Sequence, residues 1–260
     1  MPNDPLAEHD DSSSAPLPLQ LSVAGPTGIL NIDKPLKLTS MDVCRRIKRR
    51  LIAAGAPKRV KVGHGGTLDP LATGVLVVMI GKATKLCDIV MAGAKSYETY
   101  IDLSAFSTTD DAEGERTEIP IGPGGPPTLA QVQGACQMFV GNIMQRPPIY
   151  SAIKVNGQEA YKLARKGQGD TVELALRPVR IDMIAVVEYA YPRLVLSVDC
   201  GKGVYIRSLA RDLGTALGTG GMLSGLRRTR VGRWLIADAV VLDTLPPSMT
   251  SADLLPIPAE

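Results

Sequence analysis

Between Val62 and Lys85 the chain reads VGHGGTLDPLATGVLVVMIGKATK. The stretch holds a single carboxylate, Asp69, and His64, the only histidine outside the first 25 residues. A lone carboxylate can transfer a proton or act as a nucleophile when its surroundings hold it in place. Here the surroundings are glycines. Gly63, Gly65 and Gly66 allow positive φ or close approach to a ligand. Pro70 biases Asp69 toward extended backbone and keeps it out of a helix interior. The plain alternative is an Asx turn, with Asp69 bonded to its own backbone. A phosphate loop is excluded, because the G-x-x-x-x-G-K-[ST] spacing is absent. A metal site would need more ligands than one His and one Asp. From these residues alone the stretch is an acid in a constrained loop.

The loop must be held by its neighbours. Val75 to Ile80 is short, β-branched and bounded by glycines, which predicts a buried strand. Residues 1–25 are polar and acidic and are expected to be a disordered tail. A catalytic domain is expected over 26–245, with 246–260 as a short Pro-rich tail. Gly28 to Ile32 predicts a first strand, followed by Asp33-Lys34-Pro35. Ser40 reads as an N-cap supported by Asp42. The helix after it places Val43, Ile47 and Leu51 on one face. Its other face begins a run of eight cations, Arg45 to Lys61, with no acid among them. A solvated face would explain such a run. Its lack of counter-charge fits contact with a phosphate backbone instead.

Farther on, Lys82 to Met91 reads as a helix, and Lys95 to Ser104 as a strand carrying Tyr97 and Tyr100. Thr128 caps a helix reaching about Met138. Ala152 to Val155 predicts a strand, Asn156-Gly157 a turn and Glu159 to Lys166 a helix. Two strands, about Val179 to Tyr189 and Arg193 to Cys200, join near Pro192. A helix then carries Ile206, Leu209, Ala210, Leu213 and Leu217 on one face and Arg207 with Arg211 on another. Gly220 to Arg233 is a second basic stretch, and AVVLDTL near the end reads as helical. The irregular alternation, with adjacent strands and few crossovers, predicts an α+β fold around a mixed, mostly antiparallel sheet flanked by helices.

At 260 residues, 45% hydrophobic and 21% charged, the chain is long enough for one large core or two modest domains. Cys44, Cys87, Cys136 and Cys200 are widely spaced, which fits reduced thiols in a cytoplasmic protein. No apolar run reaches the ~20 residues of a membrane span, and the N-terminus lacks the pattern of a secretory signal. A net charge of +3 says little about nucleic acid by itself.

The run GHGGTLDPLATGVL closely resembles the signature G-H-x-G-x-L-D-P-x-A-x-G of the TruB family of tRNA pseudouridine synthases. The likeness extends over about residues 28 to 243. It implies the pseudouridine synthase fold and isomerisation of uridine to pseudouridine at position 55 in the T loop of tRNA. The base would be flipped out, and no metal, nucleotide or redox cofactor would be needed. Asp69 would be catalytic. His64 would lie beside the RNA, Tyr97 would stack on the target base, and Arg207 would pair with Asp69 and hold it ionised. Tyr205 would lie in the pocket and Leu226 would form an apolar wall, unless Leu226 is ordinary core. Lys85 closes the signature. Tyr150 and Lys154 match the segment P-x-Y-S-A-x-K and read as site-wall and RNA-contact residues. In STTDDAEGE, Thr108 stands where the family pattern has its first Asp, while Asp111 and Gly114 match. A C-terminal RNA-binding domain of the PUA type is not evident. The expected partner is the T-arm stem-loop of tRNA, bound by a monomer without membrane contact. The rival expectations are a guide-RNA-dependent synthase subunit and a non-catalytic tRNA-folding protein.

Overall fold

The computed structural model describes residues 25–151, 153–155, 157–164 and 174–257. In chain order the strands and helices begin with β1 (Gly28–Lys34), α1 (Ser40–Ala53), β2 (Val62–His64) and β3 (Ala72–Ile80). A 3₁₀ turn (Gly81–Leu86) leads into α2 (Cys87–Ala92), β4 (Lys95–Asp102), β5 (Ala105–Ser107) and β6 (Arg116–Glu118). Next come α3 (Leu129–Gln137), β7 (Gly141–Gln145), β8 (Lys154–Val155), β9 (Gln158–Glu159) and α4 (Ala160–Leu163). β10 (Arg177–Ala190), β11 (Arg193–Cys200), α5 (Ile206–Leu217), β12 (Met222–Val231), β13 (Trp234–Leu235) and β14 (Val240–Val241) complete the order.

One sheet dominates, in the order β14-β1-β3-β12-β4-β11-β10-β7, with β13 on β12 and β2 on β3. The β1–β14 and β12–β3 pairs are parallel, and the other pairs of this sheet are antiparallel. This is the expected mixed sheet.

β3 is the spine. Leu76, Val78 and Ile80 pack with Val43, Ile47 and Leu51 of α1, while Val75, Val77 and Met79 pack with Leu86 and Val90 of the segment after β3. A strand covered on both faces needs apolar side chains at consecutive positions, and that accounts for the run VLVVMI. A third cluster lies under α3 and α5, where Leu209 and Leu213 meet Ile101, Leu196 and Leu223.

Several boundaries differ from expectation. Thr39, not Ser40, caps α1. Its Oγ1 accepts from the Asp42 N–H at 3.1 Å, and the Asp42 carboxylate accepts from the Thr39 N–H at 3.0 Å. Thr39 lies three residues before Asp42, the spacing of a reciprocal capping box, so Ser40 is freed for another bond. The stretch 82–91 opens as a 3₁₀ turn, tightened by Thr84 Oγ1 donating to the Gly81 carbonyl at 2.8 Å. The AVVLDTL stretch is not an α-helix: Val240 and Val241 pair with β1, and Leu242–Thr244 form a 3₁₀ turn. β-branched residues fit an edge pairing better than a helix. Beyond residue 245, Met249 and Leu254 are buried beside α1 and β3, and Leu255 bridges Ile29 through two 2.9 Å bonds. The predicted tail at 1–24, Ala152, Asn156 and the helix end past 164 lie outside the described residues.

Leu76 is fully buried at the centre of this arrangement. Leu76→Ala is expected to lower stability by about 2–5 kcal/mol. Urea denaturation would read this as a lower midpoint at unchanged slope.

Candidate active site

The loop between β2 and β3 is pinned from three sides. Ser40 Oγ accepts from the Leu68 N–H at 2.8 Å and donates to the Leu68 carbonyl at 3.1 Å. Arg228 of β12 is buried and donates Nε to the Val75 carbonyl at 2.8 Å, with its terminal nitrogens on the carbonyls of Thr67 (3.3 Å) and Gly66 (3.0 Å). From below, α2 presses upward. A Cβ on Gly65 would sit 2.2 Å from a Val90 methyl carbon, so only glycine fits. Gly66 has φ +121°, which side chains rarely adopt. Gly63 has neither a positive φ nor a close neighbour within the protein.

Asp69 emerges from this loop facing α5. Arg207 Nε lies 3.0 Å from Asp69 Oδ2. Its terminal nitrogens reach Asp111 Oδ2 (3.5 Å), the Thr109 carbonyl (3.2 Å) and the Tyr150 carbonyl (2.8 Å). Its side chain is 7% exposed, so the charge is compensated by partners rather than by water. The first turn of α5 is set by Gln145, which is buried. Its Oε1 accepts from the Tyr205 N–H at 2.9 Å and its Nε2 donates to the Tyr205 carbonyl at 3.2 Å. A side-chain amide from β7 therefore fixes the backbone of Tyr205, the residue that opens α5.

The cleft above Asp69 has a volume of about 550 Å³. Of the residues singled out from the sequence, Asp69, Tyr97, Tyr150, Tyr205, Arg207 and Leu226 line it. Leu226 fills both expected roles, since it also belongs to the core beneath the cleft. His64 is not among the lining residues. It sits at the end of β2, half-buried, and burial with Arg228 nearby lowers its imidazole below the usual histidine range. Lys85 is exposed and lines a different cleft. Lys154 lies on β8, and its side chain is outside the described residues.

Burial pushes the Asp69 carboxyl above the ordinary range. Arg207 pulls it down, and Asp111 pushes it up again. The net direction departs from the simple expectation that Arg207 alone sets the ionised state. Burial also raises the phenols of Tyr97 and Tyr205. Lys34 is fully enclosed. Burial lowers its ammonium to about 8, although the Asp69 charge opposes this, and Nζ donates to the Pro35 (2.9 Å) and Leu38 (2.6 Å) carbonyls. Its enclosure and main-chain partners fit a structural role. Asp111, Arg228, Ser40 and Gln145 were not assigned to the site from sequence. Asp111 had only its place in a family pattern, and the other three bond to main chain that is distant in sequence.

A chain from a Cbf5–Nop10–Gar1 complex superposes with a TM-score of 0.63 at 30% identity, covering 84% of this chain and 53% of that one. This chain thus spans about half the length of that structural relative. Fold and cleft together define the pseudouridine synthase class. Residues 49–206 match the TruB family pseudouridylate synthase N-terminal domain, and residues 207–253 match the tRNA pseudouridylate synthase B C-terminal domain. A tRNA pseudouridine synthase B of Mycobacterium sp. (strain KMS) is 50% identical over 222 residues, 84% of this chain and 71% of that protein. The namesake of Gluconacetobacter diazotrophicus is 46% identical over 235 residues, 88% and 72%. The chain belongs to the TruB family of pseudouridylate synthases, and it is an isomerase.

Two outcomes follow from this geometry. Ser40→Ala leaves both Leu68 backbone groups without their partner and is expected to cost about 1–3 kcal/mol, read by thermal or urea unfolding. Because its folded-state pKa is raised, Asp69 favours the fold when protonated and opposes it when ionised. Asp69→Asn is therefore expected to be more stable than wild type at neutral pH. That margin should shrink as pH falls through the raised range, in melts recorded across a pH series.

Proposed function

We propose that this chain isomerises uridine to pseudouridine at position 55 in the T arm of tRNA, with Asp69 as its catalytic residue. The observation that carries the reading is the 3.0 Å pair between Asp69 and buried Arg207 in a cleft walled by Tyr97, Tyr205 and Leu226. The relatives named tRNA pseudouridine synthase B support tRNA as the substrate. A monomer acting in the cytoplasm completes the proposal. Among the described residues no helix is long and apolar enough to cross a membrane.

In the reaction the N1–C1′ bond breaks, the uracil turns, and C5 bonds to C1′. The C5 proton leaves and N1 gains one. A uridine stacked in the T loop must first leave its stack, and the cleft volume suits an extruded nucleoside. Tyr97 offers a flat apolar face to the base. Asp69 then either adds to C1′ or removes the C2′ proton. Both routes use an ionised carboxylate whose basicity is raised by burial and whose orientation is held by Arg207. Tyr205 lines the same cleft and is placed to assist proton movement at C5. Tyr150, on the wall of the cleft, positions the RNA.

The test is tritium release from C5-labelled uridine in an isolated T-arm stem-loop, with no guide RNA present. Wild type is expected to release tritium, and Asp69→Asn to be slower by at least about 10²–10⁴-fold. Tight binding without release from stem-loop or whole tRNA would overturn the reading in favour of a guide-dependent or tRNA-folding role.

A further inference from the structure

The eight cations between Arg45 and Lys61 do not act as one patch. Arg45 pairs with Asp42, Arg46 lies 3.5 Å from Asp243, and Arg50 donates to the Leu242 carbonyl at 2.7 Å. Arg59 and Lys61 instead turn away from α1. They meet Lys82 and Lys85 around a cleft of about 450 Å³ between the N-terminal side of β1, the turn after α1 and the start of the 3₁₀ turn. All four are exposed. Among the described residues none of them has an ion-pair partner, and no Asp or Glu lines the cleft. Other surface arginines do have acids: Arg180 pairs with Asp182 and Arg193 with Glu188.

Gathering four like charges in a concave site repels them from one another and focuses positive potential. A polyanion reverses that penalty. The lining carries little that could read a base. The hydroxyls of Thr27 and Thr84 are turned onto the main-chain carbonyls of Gly25 and Gly81. The chemistry therefore suits phosphates, for which arginine offers a fork and lysine a point charge.

Position selects the polyanion. Lys85 lines this cleft and Met91 lines the catalytic one. They lie on one continuous rod, the 3₁₀ turn followed by α2. Six residues of helix advance about 9 Å. Duplex DNA presents a charge about every 1.7 Å of axis, and an RNA duplex likewise carries one on every nucleotide. A nucleic acid with its reacting nucleotide over Asp69 can thus lay several phosphates on the four cations.

We infer that this cleft is a second, sequence-independent RNA-backbone site, which grips the substrate away from the nucleotide that reacts. The inference rests on the RNA substrate proposed above. Affinity for a T-arm RNA is measured by fluorescence anisotropy between about 50 and 200 mM salt for wild type and for the triple variant Arg59→Gln, Lys61→Gln, Lys82→Gln. The triple variant is expected to bind at least about tenfold more weakly at the low-salt end, with the slope of log affinity against log salt smaller by about two to three. The double variant Arg180→Gln, Arg193→Gln removes cations that already have partners and is expected to keep the wild-type slope. Matching thermal melts would show that all three proteins are folded. An unchanged slope in the triple variant, or an equal fall in the control, overturns the cleft. Tritium release by wild type is followed on the same RNA. Release with an unchanged slope overturns the cleft alone. Loss of slope without release overturns the reaction and leaves the RNA site standing.

Discussion

A buried guanidinium has to satisfy its hydrogen-bonding nitrogens and its charge at once. Arg207 does so only if four separate stretches arrive together: the Asp69 loop, the Thr109–Asp111 turn, Tyr150 and α5 itself. None of these stretches is regular where it touches the arginine except α5. Each would otherwise have freedom to move, and the shared cation removes it. The cleft exists because those four meet there. Its charge is met by two carboxylates, Asp69 and Asp111, and its remaining bonds go to the Thr109 and Tyr150 carbonyls.

The same economy explains the conflict at Asp69. Two carboxylates, Asp69 and Asp111, face one arginine, and burial disfavours the charge on Asp69. A purely structural design would place an amide there. The strain is localised, and the surroundings absorb it through Arg228, Ser40 and Gln145, which bond to main chain rather than to the reacting groups. Stability is spent at one residue and recovered at its supports, as functional sites often require.

Much of this was legible in the residues. The VLVVMI run announced a buried strand, and the glycines with Pro70 announced a loop that could not be regular. The amphipathic spacing of Val43, Ile47 and Leu51 predicted the helix that covers one face. The Arg207 partnership came only with the family resemblance, because residues 69 and 207 have no local relation. What stayed hidden shares a physical cause. Ser40 looked like a cap because serine caps helices, and only the competing capping box at Thr39 shows that it is free to hold Leu68. Gln145 and Arg228 bond to backbone carbonyls and amides, which leave no trace in side-chain type. Lys85 read as part of one signature, yet the 3₁₀ turn carries it to another cleft. The basic run seemed uniform because sequence cannot say which arginines find an acid.

The parallel pairing of β3 with β12 also has a consequence in time. Arg228 and the Val75 carbonyl it grips are 153 residues apart. A chain leaves the ribosome from its N-terminus, so α1, β1 and β3 can pack while the later strands are still unmade. The loop bearing Asp69 gains its last anchor, Arg228, only once β12 has been synthesised and inserted between β3 and β4. A nascent or interrupted chain can therefore hold much of its core, and the Ser40 anchor, while its reactive loop stays incompletely fastened. Chemical competence then arrives late and all at once, as a report that synthesis has passed the last central strand.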